Sequence, residues 1–273
     1  MYSPETAFYS PEQIKTLQEK KLRDLVKYVN INSPYYRKLF SINNISVEEL
    51  NSMERFFTIP TTSKEDLQKH NRDFLCVDKK EIVEYTTTSG TLGNPVTIVL
   101  NANDLERLAH NEYASFLCAD GSSSDIFQLM ISLDRQFMAG MAYYSGLRKL
   151  GAGIIRLGPV NAGLQLESIR RFNPSAIVAV PSQIIKLIGY AKENLSDINE
   201  TSVKKVICIG ESIRNADLSF NTLGRKITES WNIKLYSTYA STEMQTAFTE
   251  CKEGNGCHHQ PDLLIVEILR TAE

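Results

Sequence analysis

Three short segments combine hydroxyl, glycine and carboxylate residues in ways suited to a phosphorylated ligand. The first is Thr86-Thr87-Thr88-Ser89-Gly90-Thr91-Leu92-Gly93-Asn94-Pro95. Its hydroxyls and loop N–H groups are short donors. Gly90 and Gly93 permit positive φ and a close backbone approach, which suits phosphate oxygens. An ordinary polar hairpin is the alternative, because Ser, Thr and Gly are common turn residues. A Walker A loop is excluded: it needs Gly-Lys-Ser/Thr, and Asn94 follows Gly93 here. The second segment is Gly210-Glu211-Ser212, directly after an apolar run. It reads as a ligand-facing turn or as a plain acidic helix start. The third is Ser237-Thr238-Tyr239-Ala240-Ser241-Thr242-Glu243. Its aromatic could stack on a base, its hydroxyl bond a phosphate and its carboxylate hold Mg²⁺, which prefers one or two carboxylates plus substrate oxygens. A capping box is the alternative.

A fourth group, Cys251 to Cys257-His258-His259, offers zinc-compatible donors. Five residues separate the cysteines, unlike a standard finger, and adjacent His residues seldom share one tetrahedral ion. The expectation is a Zn²⁺ held by Cys251, Cys257 and one of His258 and His259, or else a structural turn.

Positioning these segments needs a framework. Residues 11–40 read as helix, capped at Ser10 and interrupted at Pro34. Ser46 with Glu49, and Ser63 with Asp66, resemble capping boxes. Tyr35, Tyr36, Phe56 and Phe57 read as packing anchors. Strand signals follow at 82–88, 96–100, 126–133, 153–157, 176–180, 203–209 and 233–236. Helix signals lie between them at 102–118, 137–149, 164–172, 182–194 and 215–230. This alternation predicts an α/β fold, a largely parallel sheet covered by helices, with ligands at the strand C-terminal ends. Domain organisation is expected as a helical segment over 1–75 packed on an α/β core over 76–273.

The chain has 273 residues, 42% hydrophobic and 23% charged, the profile of a globular protein with a sizeable core. Its net charge of −2 argues against nucleic-acid and membrane surfaces. There is no run of about 18 apolar residues and no secretory signal at the N-terminus. Five cysteines, three isolated in apolar runs, suit a reducing, cytoplasmic setting. A homodimer is left open.

Thr88-Ser89-Gly90-Thr91-Leu92-Gly93-Asn94-Pro95 resembles the Thr-Ser-Gly-Thr-Thr-Gly-Lys-Pro phosphate loop of the adenylate-forming (acyl/aryl-CoA synthetase) superfamily, with Leu92 and Asn94 departing from it. Further stretches resemble its phenylacetate-CoA ligase branch: Tyr35-Tyr36-Arg37, Ile59 to Leu67, Gly140 to Gly146, Ile209 to Ser212 and Tyr239 to Glu243. The resemblance implies the large N-terminal domain of such an enzyme. It implies ATP, Mg²⁺ and CoA as cofactors, and a small aryl or otherwise apolar carboxylic acid as substrate. Carried over, Thr88, Ser89, Gly90, Thr91 and Gly93 would hold the ATP phosphates. Gly210, Glu211 and Ser212 would line the adenine site, Tyr239 would lie on the adenine face, and Ala240 and Ser241 belong to the same motif. Thr242 would bond phosphate or acyl carboxylate, and Glu243 would bind Mg²⁺. Phe137, Gly140, Met141 and Tyr144 would line the acid pocket.

The family's ribose-binding Asp, hinge and small C-terminal domain with its catalytic Lys do not occur before Glu273. The expectation is therefore a fragment without the C-terminal small domain, unable to turn over alone, ending in a strand over 263–269. Alternatives stay open: transfer to a carrier protein, a non-catalytic nucleotide-binding module, or a Cys- or Ser-dependent hydrolase. The last lacks a Gly-x-Ser-x-Gly elbow.

Overall fold

In a computed structural model the described residues are 4–88 and 95–268. They divide into two compact units: those up to Asp104 together with those from Gln260 on, and Leu105–His259. The boundary expected at 75/76 lies inside the first unit.

The first unit opens with helices α1 (Pro11–Asn32), α2 (Pro34–Ile42), α3 (Met53–Phe56) and α4 (Lys64–Lys69). Ser10 starts α1 as read. Its Oγ accepts the Gln13 N–H at 3.3 Å, and its own N–H donates to Gln13 Oε1 at 2.8 Å. Ser10→Ala is expected to lower the unfolding free energy by about 1 kcal/mol in urea titrations. Pro34 breaks the helix because Ser33 both ends α1 and caps α2. The box at Ser63 and Asp66 forms. The one at Ser46 does not: its hydroxyl donates to Glu48 instead, over a short 3-10 turn. Val26, Phe40, Val47, Leu50 and Phe56 make this unit's core. Tyr35 stacks on Phe74 with ring centroids 4.0 Å apart. Phe57, read as an anchor, is exposed instead.

A hairpin of β1 (Glu84–Thr87) and β2 (Thr97–Leu100) carries the first chemical segment. The strand expected over 263–269 is not found across its described part, 263–268. Lys21 and Gln18 of α1 bond the carbonyls of Asp262 and Pro261, whereas Ile268 is 94% exposed. An apolar run without a pairing strand gains nothing from extension.

The second unit contains α5 (Ala102–Cys118, which begins in the first unit), β3 (Ile126–Leu129), α6 (Met138–Leu150), β4 (Gly153–Arg156) and α7 (Ala162–Phe172). It continues with β5 (Ala176–Ala179), α8 (Pro181–Glu193), β6 (Lys205–Cys208), α9 (Thr222–Ser230), β7 (Lys234–Ser241), β8 (Thr246–Glu250) and β9 (Cys257–His258). The strand order is β4-β3-β5-β6-β7-β8-β9. β3 to β7 pair in parallel, as expected, and β8 and β9 add antiparallel. Along β5 the side chains alternate between two cores. Ala176 and Val178 face Phe116, Tyr143 and Leu147 of α5 and α6. Ile177 and Ala179 face Ile169, Leu187 and Ile227 of α7, α8 and α9. Helices therefore cover both faces. β4 and β5 flank β3 on opposite sides, so α6 and α7 must lie on opposite faces if both crossovers are right-handed. They do.

Two differences from the sequence reading bear on the site. β7 does not stop at Tyr236 but runs on to Ser241. The helix expected from 215 begins at Thr222, because Arg214 and Phe220 form a β-bridge around a loop.

Candidate functional site

The first segment belongs to the first unit. Thr88 is buried and closes the hairpin. Its Oγ1 accepts the Val96 N–H at 3.0 Å, and its own N–H reaches the Val96 carbonyl. The fully buried Thr86 gives its hydroxyl to the Ile98 carbonyl. These two hydroxyls act first as struts within the hairpin. Ser89, Gly90, Thr91 and Gly93 lie outside the described residues.

The second segment follows β6. Gly210 has φ +74°, a conformation only glycine adopts without strain, and it turns the chain out of the sheet. A Cβ there would meet only Val180 at 3.8 Å, so conformation, not crowding, demands glycine. The Glu211 carboxylate is engaged within the protein. It accepts the Ser182 N–H at 2.9 Å and so caps α8, whose own N-cap residue, Val180, has no side-chain acceptor. Ser212 Oγ likewise turns inward, donating to the Arg214 carbonyl at 2.9 Å, while Asn221 donates to the Ser212 carbonyl.

The third segment is not a loop after a strand. Tyr239, Ala240 and Ser241 are the last residues of β7, paired with Phe248, Ala247 and Thr246 of β8. Thr242 and Glu243 occupy the hairpin turn. Ser241 shapes it by accepting the Met244 N–H on Oγ and the Gln245 N–H on its carbonyl. Gln245 takes φ +52°. Arg107 of α5 donates to the Gln245 carbonyl at 2.8 Å, a tether absent from the sequence reading. Tyr239 is 65% exposed, and its ring adjoins Phe248, which adjoins His259, with centroids 6.0 and 5.7 Å apart. A large aromatic left this open on a strand is available for stacking.

α6 carries the residues read as an acid pocket. Phe137 precedes the helix and is 40% exposed, and Met141 and Tyr144 are half-buried. The Arg156 guanidinium lies 5.4 Å from the Tyr144 ring centroid. Gly140 is buried with its α-carbon tight against the Ser132–Leu133 backbone. Just before the helix, Arg135 and Gln136 both hold positive φ, at 56° and 58°. Two consecutive non-glycine residues in that region store strain, which tends to collect where geometry serves a function.

The zinc expectation is corrected. Among the described residues, no three His, Cys, Asp or Glu side chains are grouped to hold a metal ion. Cys257 and His258 are neighbours on β9, and successive strand residues point to opposite faces. His259 packs on Phe248, and burial followed by the nearby His258 lowers its pKa. Burial, then Cys251 and Cys257, pushes the Cys118 thiol up to about 11, so it stays protonated.

The Gly210 turn and the β7–β8 hairpin are brought together within this unit. Arg214 reaches β8, where its Nη2 pairs with Glu250 Oε1 at 2.9 Å. Glu250 Oε2 accepts the Ser237 N–H of β7 at 3.0 Å.

A protein from Thermus thermophilus, phenylacetate-coenzyme A ligase, is 25% identical to this chain across 98% of it and 60% of the relative. The Escherichia coli phenylacetate-coenzyme A ligase is 28% identical over 68% of the chain and 43% of the relative. Both of these relatives are phenylacetate-CoA ligases. The fold is correspondingly that of a CoA ligase: the structure of 2-hydroxyisobutyryl-CoA ligase with 2-HIB-AMP and CoA superposes with a TM-score of 0.84, at 20% identity, over 93% of this chain and 55% of that one. Protein CapK of Staphylococcus aureus is 21% identical over 87% of the chain and 52% of its own length. The chain thus spans about half the length of these ligases. No family model matches it. Among the described residues no helix is long and apolar enough to cross a membrane.

Proposed function

We propose that the chain is the nucleotide-binding part of an adenylate-forming acid–thiol ligase. In this reaction a carboxylate attacks the α-phosphate of ATP, pyrophosphate leaves, and the acyl group then passes from AMP to the thiol of CoA. The observation that carries the reading is the alignment with phenylacetate-CoA ligase along 98% of the chain. It is supported by an exposed Tyr239 on β7 and by a positive-φ Gly210 turn that follows the neighbouring parallel strand β6.

The chemical difficulty is to bring two anions together. Preorganised donors lower that repulsion and stabilise the charge that develops. Thr88, Ser89, Gly90, Thr91 and Gly93 hold the phosphates. The backbone of Gly210, Glu211 and Ser212 lines the adenine, and Tyr239 stacks on it beside Ala240 and Ser241. Thr242 donates to the α-phosphate or the acyl carboxylate. The donor set suits Mg²⁺: one carboxylate, Glu243, in a turn rich in hydroxyls. Bound there, the ion would neutralise phosphate charge. The half-apolar surface of Phe137, Gly140, Met141 and Tyr144 selects an aryl or other apolar acid. Five unpaired cysteines suit a reducing cytoplasmic setting.

Calorimetric titration with ATP and Mg²⁺ is expected to show saturable binding by this chain. Glu243→Gln should weaken it roughly tenfold. No binding by the unaltered chain would sink the reading. Acid-dependent pyrophosphate exchange, by this chain or by any protein that contains it, separates a ligase from a non-catalytic nucleotide binder. Release of the thioester with free CoA, and not with a carrier protein, separates the two acceptors.

A further inference from the structure

Arg214 and Glu250 belong to neither nucleotide segment, yet they join them. Glu250 is 2% exposed and Arg214 is 18% exposed at their side chains. Glu250 spends both oxygens on the connection, one on Arg214 of the 210–214 turn and one on the Ser237 N–H of β7. Ser237 lies two residues before Tyr239. Arg214 is held in turn from three other directions. Its Nη1 donates to the Leu218 carbonyl at 3.0 Å, its guanidinium lies 3.9 Å from the Phe220 ring centroid, and Gly254 passes so near that a Cβ there would sit 3.1 Å from Nη2. A half-buried guanidinium fixed this way is a rigid part.

The turn needs such a part. Gly210 leaves β6 in a glycine-only conformation, and a loop of five residues, 215–219, separates Arg214 from its bridge partner Phe220 before α9 begins. Glu211 ties one side of the turn to α8 through the Ser182 N–H. Arg214 ties the other side to β8. With both ties in place, the backbone of 210–212 and the ring of Tyr239 keep a fixed separation.

From this geometry we infer that Arg214 and Glu250 are positioning residues for the nucleotide base: their ion pair sets the spacing between the Gly210–Ser212 backbone and Tyr239. The inference rests on the reading of those two segments as the adenine site. It assigns no contact between the pair and the ligand. It also accounts for a buried ion pair that is otherwise an expensive way to stabilise a fold, since two desolvated charges offset much of their own attraction.

The test separates spacing from folding by using three variants of this chain. Glu250→Gln keeps an acceptor for Ser237 but removes the charge. Arg214→Lys keeps the charge but loses the planar fork. The double variant Arg214→Met with Glu250→Gln leaves no unpaired charge, so it should melt near the unaltered chain. Calorimetry would measure the affinity for ATP, AMP and tripolyphosphate. We expect ATP and AMP to bind roughly tenfold more weakly to Glu250→Gln and to the double variant, with Arg214→Lys intermediate and tripolyphosphate affinity unchanged. Amide exchange at 210–213 should quicken in the double variant. An ATP affinity in the double variant within about twofold of the unaltered chain overturns the inference, as does a parallel loss for tripolyphosphate. Absence of ATP binding by the unaltered chain overturns the adenine-site reading itself, and the spacing role with it.

Discussion

Gly140→Ala is expected to destabilise the second unit by about 3 kcal/mol or more, whereas Gly189→Ala should stabilise it by about 0.8 kcal/mol. Both glycines lie inside helices, α6 and α8. Helix propensity alone favours alanine at each. The difference is space. A Cβ on Gly140 would sit 2.0 Å from the Ser132 carbonyl oxygen and 2.9 Å from the Leu133 α-carbon, both backbone atoms. Backbone cannot rotate away as a side chain does, so α6 must lift from the segment that follows β3. That segment already carries the positive φ angles of Arg135 and Gln136. A Cβ on Gly189 meets nothing within 4 Å. Urea unfolding followed by circular dichroism would measure both. A loss below about 1 kcal/mol for Gly140→Ala would show that α6 is free to shift.

The β–α alternation was legible because each strand and cap declares itself locally. The run at Ala176–Ala179 is apolar on both faces, as a strand covered on both sides must be. Ser10 and Ser63 stand in front of their helices with Gln13 and Asp66 three residues on. The hairpin of β7 and β8 was not legible. Its turn holds no Asn-Gly or Gly pair, and Gln245 takes the left-handed φ that such a signal would announce. Thr246–Glu250 is short and mixed in polarity, so nothing separates it from a loop. The motif from Tyr239 to Glu243 was found through its resemblance, but its backbone was misread as a loop beyond a strand ending at Tyr236.

Partnerships between distant residues left no trace in the sequence. Glu211 looked like a ligand-facing acid because it follows a strand and a glycine; its real partner is the start of α8. Arg214, Glu250 and Arg107 acquire roles only when the sheet brings β6, β7 and β8 side by side. The zinc expectation gains no support for a related reason: donors close in sequence are not gathered into a group of three among the described residues.

Glu112 should make the stability of this protein fall steeply with rising pH. It lies on α5, 4% exposed, beside a helix so close that a Cβ on Gly146 would sit 2.4 Å from its own Cβ. One carboxyl oxygen accepts the Asn111 amide at 3.2 Å, and Oε2 has no hydrogen-bond partner among the described residues. Burial pushes its pKa up to about 8, with the Asn111 bond opposing weakly. The buried phenol of Tyr143 is raised as well, first by burial and then by Glu112. The folded protein therefore keeps a proton that the unfolded chain releases above about pH 4.5. The stabilisation from Glu112 is full below that pH and is lost as pH climbs towards 8, at about 1.4 kcal/mol per pH unit. Glutamine keeps the shape and cannot ionise. Other groups titrate equally in both proteins, so the difference between Glu112→Gln and the unaltered chain isolates this one. That difference, from urea unfolding at several pH values, should move in favour of the glutamine variant by about 1.4 kcal/mol per pH unit between 5 and 8. A flat difference would mean that the carboxyl ionises in place. The consequence reaches the candidate site, because Asn111 also accepts the Thr246 hydroxyl at 2.6 Å, and Thr246 begins β8 directly after the Thr242–Glu243 turn.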